Sequence, residues 1–210
     1  MVKSTSRNAK ISRDSQRTKR TSTLPGLDPE VRIVAVSLVG FMGAGKTTVG
    51  QALAGRLGWR FKDLDDLIQA SEGRTIEQIF EQDGELTFRD IERRVLSDTI
   101  TRLQGRPPLV LALGGGAFMD PDAREFLRQA QIPAVFLDAP IAELFHRCQQ
   151  PEVVRPLRRD PDQFRSLYEQ RRPAYFQATV CIETSGKDVQ CVAEEIISKL
   201  QLKPSSGVSE

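Results

Sequence analysis

The most informative stretch of the chain is a glycine-rich segment that also carries a lysine and a threonine. Residues 40–47 read GFMGAGKT and match the pattern G-x-x-x-x-G-K-[ST]. Glycines let the backbone turn tightly, so that its N–H groups converge on phosphate oxygens at the start of the following helix. Lys46 can then reach the β- and γ-phosphates of a nucleotide, and the Thr47 hydroxyl can ligate Mg²⁺. The pattern predicts a Walker A loop, called the phosphate loop below, rather than an ordinary glycine-rich turn.

Two carboxylates, Asp63 and Asp65, lie at the end of the second predicted strand, residues 60–64. If this segment stays extended, alternate side chains point the same way and both carboxylates lie on one side. One could orient Mg²⁺ through its water shell, and the other could accept a hydrogen bond from a substrate hydroxyl. The spacing is equally compatible with Asp65 or Asp66 serving only as the cap of a helix over residues 67–71.

Two further features could recognise a small anion. Arg89 and Glu92 lie three residues apart in a predicted helix over residues 84–103, hence on one face, where the carboxylate could hold the guanidinium ready for a ligand. An exposed surface ion pair is the alternative. Residues 114–116 are three glycines at the end of an apolar strand. Their missing Cβ atoms would allow a ligand to approach the backbone N–H groups closely.

A charged segment later in the chain is interrupted by prolines. Residues 151–160 read PEVVRPLRRD, and we expect a mobile lid at about residues 150–161. Arg155 could close over the γ-phosphate, exclude water and neutralise developing charge. A predicted helix over residues 162–169 then leads to a second basic cluster, Arg171 and Arg172. His146, the only histidine, has no partner motif, so no catalytic role is expected for it.

These motifs need a scaffold that gathers them, and the apolar pattern predicts one. Apolar runs alternate with helical stretches, which is typical of a parallel sheet with helices on its faces. We predict an α/β, three-layer P-loop fold with a five-stranded parallel sheet. In such folds ligands bind beyond the carboxyl ends of the strands. The predicted strands cover residues 33–39, 60–64, 109–113, 134–137 and 180–183, and the final helix covers residues 188–200.

The composition predicts a single soluble globular domain. Of the 210 residues, 39% are hydrophobic and 28% are charged, which is ordinary for a single globular domain. No stretch approaches the roughly 20 apolar residues of a membrane helix, so no membrane partner is expected. Cys148, Cys181 and Cys191 are odd in number and lack C-x-x-C spacing, which argues against a disulfide framework or a zinc site. Reduced thiols and a cytoplasmic location are the simple interpretation.

Basic residues concentrate at the N-terminus. Residues 1–20 contain seven Lys or Arg and one acidic residue, so the net charge of +2 hides a slightly acidic remainder. The body of the protein therefore gives no case for a nucleic-acid partner. We expect a disordered basic extension over residues 1–30, the folded domain over residues 31–202 and a flexible tail over residues 203–210. The extension also has the composition of an organellar transit peptide or a weak nucleic-acid tether, whereas a secretory signal would need an apolar h-region.

Taken together, the motifs resemble those of the shikimate kinase family over about residues 34–200. The matching segments occur in the family's order and with its spacing: GFMGAGKTT at 40–48, DLD at 63–65, GELTFRDIE at 84–92, GGG at 114–116, RPL at 155–157 and QRRPAY at 170–175. Two departures stand out. The lid reads RPLR, with Arg158, where the family commonly has RPLL, and Arg172 replaces a residue that is usually neutral.

The resemblance implies an activity and its co-substrates. The expected reaction is ATP-dependent phosphorylation of shikimate to shikimate 3-phosphate, in the chorismate route to aromatic amino acids. ATP would be the co-substrate and Mg²⁺ the cofactor, and we expect a monomer. Rival functions are a related kinase of gluconate type and a ligand-sensing module on the same fold. Arg89, Gly115 and Arg171 match the shikimate pattern, and a sensor would not need a metal ligand together with a base.

The resemblance also implies roles for single residues. Lys46, Asp65 and Arg155 would be catalytic, with Asp65 as the base and Arg155 as the lid arginine. Mg²⁺ would be held by Thr47 and, through water, by Asp63. The implied ATP-binding residues are Gly43, Ala44, Gly45, Lys46, Thr47, Thr48, Arg155 and Lys187, with Arg147 also near the family's adenine positions. The implied substrate-binding residues are Asp65, Arg89, Gly115 and Arg171, with Glu92 holding Arg89 and with Phe80 and Phe88 against the substrate ring.

Overall fold

Five parallel strands form one sheet in the computed structural model, which describes residues 24–149 and 160–205. The strands are β1 (Ala35–Val39), β2 (Arg60–Asp63), β3 (Leu109–Ala112), β4 (Ala134–Asp138) and β5 (Val180–Glu183). Their order across the sheet is β2-β3-β1-β4-β5, and every neighbouring pair is parallel. The predicted five-stranded parallel sheet is confirmed, and the carboxyl ends of all its strands lie along one edge.

Helices connect these strands. They are α1 (Lys46–Leu57), α2 (Leu64–Glu72), α3 (Ile76–Thr101), α4 (Pro121–Gln129), α5 (Ile141–Cys148), α6 (Pro161–Tyr175) and α7 (Val189–Leu200), with a 3-10 turn at Ala117–Met119. Most of their starts carry a side-chain cap that satisfies backbone N–H groups of the first turn. Asp120, Asp160 and Asp188 cap α4, α6 and α7 in this way, and Thr75 forms a capping box at α3.

The core lies on both sides of the central strands. β1 and β3 are buried along their whole length, and such continuous apolar strands need helices on both faces of the sheet. Helix α1 packs against α7 and against β2 and β3, and α2 packs against α3. The apolar sequence of the middle strands thus explains why helices cover both faces of the sheet. The loops at its carboxyl edge are not needed for this packing and are available to form a site.

The start of α2 differs from the sequence-based expectation. Residues 63–65 are not an extended pair of carboxylates, because β2 ends at Asp63 and α2 already begins at Leu64. The Asp63 side chain accepts a hydrogen bond from the Asp65 backbone N–H at 3.1 Å and is therefore the N-cap of α2. The prediction that Asp65 or Asp66 caps a helix over residues 67–71 is also wrong. Asp65 lies in the first turn of α2, whereas Asp63 is the last residue of β2, so the two carboxylates belong to different elements.

Two other helices are longer than the sequence suggests. Helix α3 begins at Ile76, eight residues before the predicted start, and kinks at Gly84, where φ is 78° and ψ is 175°. Helix α6 continues to Tyr175 with Pro173 inside it. A proline in the last turn removes only one helical hydrogen bond, so it does not stop the helix there. Arg171 and Arg172 consequently lie in α6 rather than in a loop after it.

The folded body begins before residue 31. The Leu24 side chain packs against the hydrophobic core, and the Asp28 backbone N–H donates to Gln131 Oε1 at 2.7 Å. The expectation of disorder up to residue 30 is therefore wrong for residues 24–30. The predicted lid lies almost wholly outside the described residues, and so do Arg155 and Arg158. Among the helices that the structure describes, none is both long and apolar enough to cross a membrane.

The packing of α1 on the sheet predicts opposite effects for two glycines in that helix. A Cβ built on Gly50 would lie 2.9 Å from Phe61 Cδ2 and 3.1 Å from Leu38 Cδ1, whereas a Cβ on exposed Gly55 would meet nothing within 4 Å. Gly50→Ala should lower the free energy of unfolding by about 1–3 kcal/mol through overpacking. Gly55→Ala should raise it by about 0.5–1 kcal/mol through helix propensity. Urea denaturation of both variants tests this, and equal effects would contradict the close packing of α1 on β2.

Candidate active site

The phosphate loop joins β1 to α1 at the carboxyl edge of the sheet. Its glycines Gly40, Gly43 and Gly45 have φ values of 147°, 81° and 85°, a range that side chains strongly disfavour. A Cβ on Gly40 would lie 2.7 Å from the Leu137 carbonyl oxygen, and one on Gly43 would lie 2.6 Å from that of Leu144. The loop therefore needs glycine both for its turn and for its packing against β4 and α5.

Helix α1 begins in a way that suits an anion. Its N-cap is Gly45, which has no side chain to accept hydrogen bonds from the first turn, and that turn contains no acidic residue. The N–H groups and the positive end of the helix dipole thus face the loop, an arrangement that favours phosphate. Lys46 Nζ donates to the carbonyl oxygens of Gly40 and Phe41 at 3.0 and 3.3 Å, so the amine lies over the same loop.

Thr47 and Asp63 meet beside this loop. The Thr47 hydroxyl donates to Asp63 Oδ2 at 3.1 Å, while Asp63 Oδ1 accepts from the Asp65 backbone N–H. A hydroxyl next to a carboxylate is a donor set that suits Mg²⁺, which takes oxygen ligands and keeps several waters. Within the described residues no cluster of three His, Cys, Asp or Glu offers a rival metal site. The two residues predicted to hold Mg²⁺ are thus brought together.

The three glycines after β3, called the triple-glycine loop, each face a different charged side chain. A Cβ on Gly114 would lie 2.5 Å from Asp65 Oδ1, one on Gly115 would lie 3.2 Å from Arg171 Nη1, and one on Gly116 would lie 2.7 Å from Arg89 Nη2. The side chains come from α2, α6 and α3, respectively. The loop lacks Cβ atoms because charged side chains pack directly on its backbone, and it brings Asp65, Arg89 and Arg171 to one place.

Arg89 is held by a buried carboxylate. Its Nη1 lies 2.7 Å from Glu92 Oε2, and the Glu92 side chain is only 5% exposed. Burial raises the pKa of the Glu92 carboxyl, and the nearby Asp65 acts in the same direction, whereas Arg89 and Arg171 oppose the shift. The alternative of an exposed surface pair is therefore wrong. Phe88 is buried and its ring lies beneath the Arg89 guanidinium, and its centroid is 4.5 Å from that of Phe80.

Tyr175 is a member of this site to which sequence analysis assigns no role. Its side chain is fully buried, its hydroxyl donates to the Gly115 carbonyl at 2.6 Å, and its ring stacks on Phe136. Burial raises the pKa of Tyr175 to about 12, with Arg171 opposing the shift, so the phenol remains a donor. Tyr175 could have been predicted from its spacing of four residues from Arg171, because this spacing places both side chains on one helical face once α6 is known to continue to residue 175.

The other predicted residues lie further from the triple-glycine loop. Arg147 donates to the Gly43 carbonyl at 3.4 Å and pairs with Glu143, so it touches the phosphate loop. Lys187 follows β5 and pairs with Glu195 at 2.6 Å. Arg172 turns to Asp138 at the end of β4. His146 is exposed.

A parallel α/β sheet of this order, with a phosphate loop after β1 and with Asp65, Arg89 and Arg171 gathered on the triple-glycine loop, is typical of P-loop kinases of small molecules. Comparison with known proteins makes the assignment specific. The family model described as shikimate kinase matches residues 42–201, and the chain belongs to that family.

Individual relatives support the same assignment. The shikimate kinase of Persephonella marina is 36% identical over 166 residues, which is 79% of this chain and 98% of the relative. That of Geobacter sulfurreducens is 42% identical over 164 residues, or 77% and 87% of the two chains. Among solved structures, a shikimate kinase from Acinetobacter baumannii in complex with shikimate superposes with a TM-score of 0.72 and 39% identity, covering 80% of this chain and 93% of that one.

The buried Tyr175 hydroxyl predicts a measurable stability effect. Tyr175→Phe deprives the Gly115 carbonyl of its donor and should lower the free energy of unfolding by about 1–3 kcal/mol. A folded-state pKa raised from 10.0 to about 12 means that this contribution is complete below pH 10 and is lost as the pH rises through 12. Urea denaturation should therefore give the same difference from wild type at any pH between about 6 and 9. A difference that varies over that interval would contradict the assignment.

Proposed function

We propose that this protein transfers the γ-phosphoryl group of ATP to the 3-hydroxyl of shikimate, giving shikimate 3-phosphate and ADP. The observation that carries the proposal is the convergence of Asp65, Arg89 and Arg171 on the triple-glycine loop. Two guanidinium groups and a carboxylate beside a phosphate loop suit an acceptor that is itself a hydroxylated carboxylic acid. Membership of the shikimate kinase family supports the same substrate.

The acceptor would lie between the helices that surround the triple-glycine loop. Its carboxylate would pair with Arg89 and Arg171, because planar guanidinium groups bind carboxylates through two parallel hydrogen bonds. Glu92 would keep Arg89 in place, and the buried Phe88 with its neighbour Phe80 would face the apolar side of the substrate ring. The backbone of Gly115 would contact the substrate, while the Tyr175 hydroxyl holds that backbone by its hydrogen bond to the Gly115 carbonyl oxygen.

ATP would occupy the phosphate loop. The backbone of residues 43–48, containing Gly43, Ala44, Gly45, Lys46, Thr47 and Thr48, would surround its phosphates, and the Lys46 amine would turn from the loop carbonyls to the β- and γ-phosphates. Lys187 and Arg147 are proposed for the adenine end. Arg155 of the lid is proposed to close over the γ-phosphate, although it lies outside the described residues.

Asp63 and Thr47 would hold Mg²⁺, which neutralises charge on the β- and γ-phosphates. Thr47 would be a direct ligand and Asp63 would act through a coordinated water. Their hydrogen bond of 3.1 Å supports this assignment, because it keeps both oxygens close together beside the phosphate loop. Because Asp63 also caps the helix that carries Asp65, the metal end of the site and the acceptor end share one rigid connection.

Asp65 is proposed as the base. Its carboxylate would accept the proton of the shikimate 3-hydroxyl as the oxygen attacks the γ-phosphorus, and ADP would leave with the Lys46 amine beside it. Transfer to shikimate rather than to water requires that both substrates be enclosed, which is the function proposed for the lid. A cytoplasmic location, a monomeric state and the absence of a nucleic-acid partner stay predictions.

The proposed reaction can be tested by following ADP release with shikimate, gluconate and nucleoside monophosphates offered separately. We expect turnover with shikimate and Mg²⁺, little without Mg²⁺, and a loss of roughly 100-fold or more in Lys46→Ala, which lacks the cation of the phosphate loop. Turnover with gluconate alone would contradict the proposal. Binding of shikimate without any ADP release would instead support a ligand-sensing module.

The two arginines at the triple-glycine loop predict a specific loss of acceptor binding. Arg89→Ala and Arg171→Ala should each weaken shikimate binding by about 2–5 kcal/mol, because each removes one of the two guanidinium groups that pair with the bound carboxylate. Calorimetric titration with shikimate measures this directly, and ATP binding should change little. Arg93→Ala is the matched control, since Arg93 lies one turn after Arg89 and forms surface pairs with Asp90 and Asp120. Unchanged shikimate affinity in either variant would remove that residue from the site.

A further inference from the structure

Arg172 is adjacent to Arg171 in α6, but the two side chains point to different parts of the molecule. Consecutive residues of a helix differ in direction by about 100°. Arg171 Nη1 approaches Gly115, whereas Arg172 Nη2 lies 2.9 Å from Asp138 Oδ2 at the end of β4. The extra cation beside the site thus has a protein partner of its own.

The pairing belongs to a group of four side chains, Arg172, Asp138, Tyr168 and Phe176, called the Arg172 cluster. Arg172 Nε donates to the Tyr168 hydroxyl at 2.9 Å, and that hydroxyl donates to Asp138 Oδ1 at 3.3 Å. The Arg172 guanidinium also lies over the Phe176 ring, 4.5 Å from its centroid. The Asp138 side chain is 17% exposed and that of Arg172 is 42% exposed, so the pair is shielded from solvent mainly on the carboxylate side.

Asp138 is a firm attachment point. Its carbonyl oxygen accepts from the Thr184 backbone N–H at 2.8 Å and from the Thr184 hydroxyl at 3.1 Å, which ties the end of β4 to the segment after β5. Tyr168 connects the cluster to the phosphate loop, because its ring packs edge-on against Phe41 at 5.4 Å. One face of α6 is therefore fixed to the sheet and to the loop that binds ATP.

The neighbouring face of α6 carries Arg171 and Tyr175, and both of these side chains reach Gly115. With side chains reaching about 5–6 Å from the axis, a rotation of α6 by about 10° moves the tip of a side chain by roughly 1 Å. A displacement of that size in a positioning group can cost up to about 100-fold in catalysis. The direction of Arg171 therefore depends on what prevents α6 from rotating.

We propose that Arg172 is a positioning residue for the acceptor: through Asp138 and Tyr168 it fixes α6 about its axis, so that Arg171 stays directed at the acceptor carboxylate. This inference rests on the proposed function, because it assumes that Arg171 binds shikimate. Arg172 itself touches neither substrate. Its contribution is to the affinity for shikimate, whereas the affinity for ATP depends on the phosphate loop, which the Arg172 cluster contacts only through the ring of Tyr168.

Steady-state kinetics with each substrate varied in turn tests the proposal. Arg172→Ala should raise KM for shikimate about 10-fold, which is the factor expected if a misdirected Arg171 loses one charge-assisted hydrogen bond to the acceptor. KM for ATP should stay within about twofold. Arg172→Lys keeps a cation beside Asp138 and should recover most of the loss. Arg165→Ala is the matched control, because Arg165 is an exposed arginine on the same helix. It should leave both KM values unchanged.

A double-mutant cycle distinguishes positioning through Asp138 from a general loss of stability. Asp138→Asn alone should raise KM for shikimate to a similar extent, and the double variant with Arg172→Ala should be no worse than either single variant. An unchanged KM for shikimate in folded Arg172→Ala or Asp138→Asn would overturn the inference, and so would a parallel rise of both KM values. Failure of the wild-type protein to phosphorylate shikimate would contradict the proposed function itself, and the inference with it.

Discussion

The close contact between charged side chains and the backbone of residues 114–116 is the constraint on which the rest of the site depends. β3 lies between β2 and β1 in the sheet, so the loop that follows it lies in the interior of the carboxyl edge, next to the phosphate loop after β1. Side chains from three helices can meet there only because no Cβ atoms occupy the space. A single methyl group on Gly114 or Gly116 would displace Asp65 or Arg89, respectively. The triple-glycine loop therefore acts as a template that sets the relative positions of the helices around it.

Placing these charges together has an electrostatic cost, and the structure shows how it is offset. Glu92 is nearly buried, and ionised carboxylates are expensive to bury unless they are paired. Arg89 supplies the pairing, and Arg171 adds a second positive charge that favours the ionised form. In return, a guanidinium already held by Glu92 loses less conformational freedom when a ligand carboxylate arrives. The buried pair thus contributes to preorganisation rather than to the stability of the fold.

The sequence predicts the chemistry of the site better than the geometry of the elements that carry it. The phosphate loop and the five strands follow from local patterns, because glycine conformations and apolar runs are dictated by nearby residues. The start of α2 does not follow from a local pattern. Asp63-Leu64-Asp65 has the polar-apolar alternation of a strand, and only the hydrogen bond that makes Asp63 the N-cap reveals the helix. The direction of Arg172 could not be read from its neighbours either, because its partner lies 34 residues away in the chain.

The two carboxylates at the junction of β2 and α2 illustrate why that local difference matters for the proposed reaction. In an extended segment Asp63 and Asp65 would be equivalent, and either could serve the metal or the acceptor. With Asp63 as the N-cap, its two oxygens are committed to the Asp65 backbone and the Thr47 hydroxyl, so it stays beside the phosphate loop. Asp65, one residue into α2, turns instead to Gly114, where the positive end of the helix dipole stabilises its negative charge. The beginning of one helix therefore separates the two carboxylates, and it leaves the one proposed to orient Mg²⁺ beside the phosphate loop and the one proposed as the base beside the triple-glycine loop.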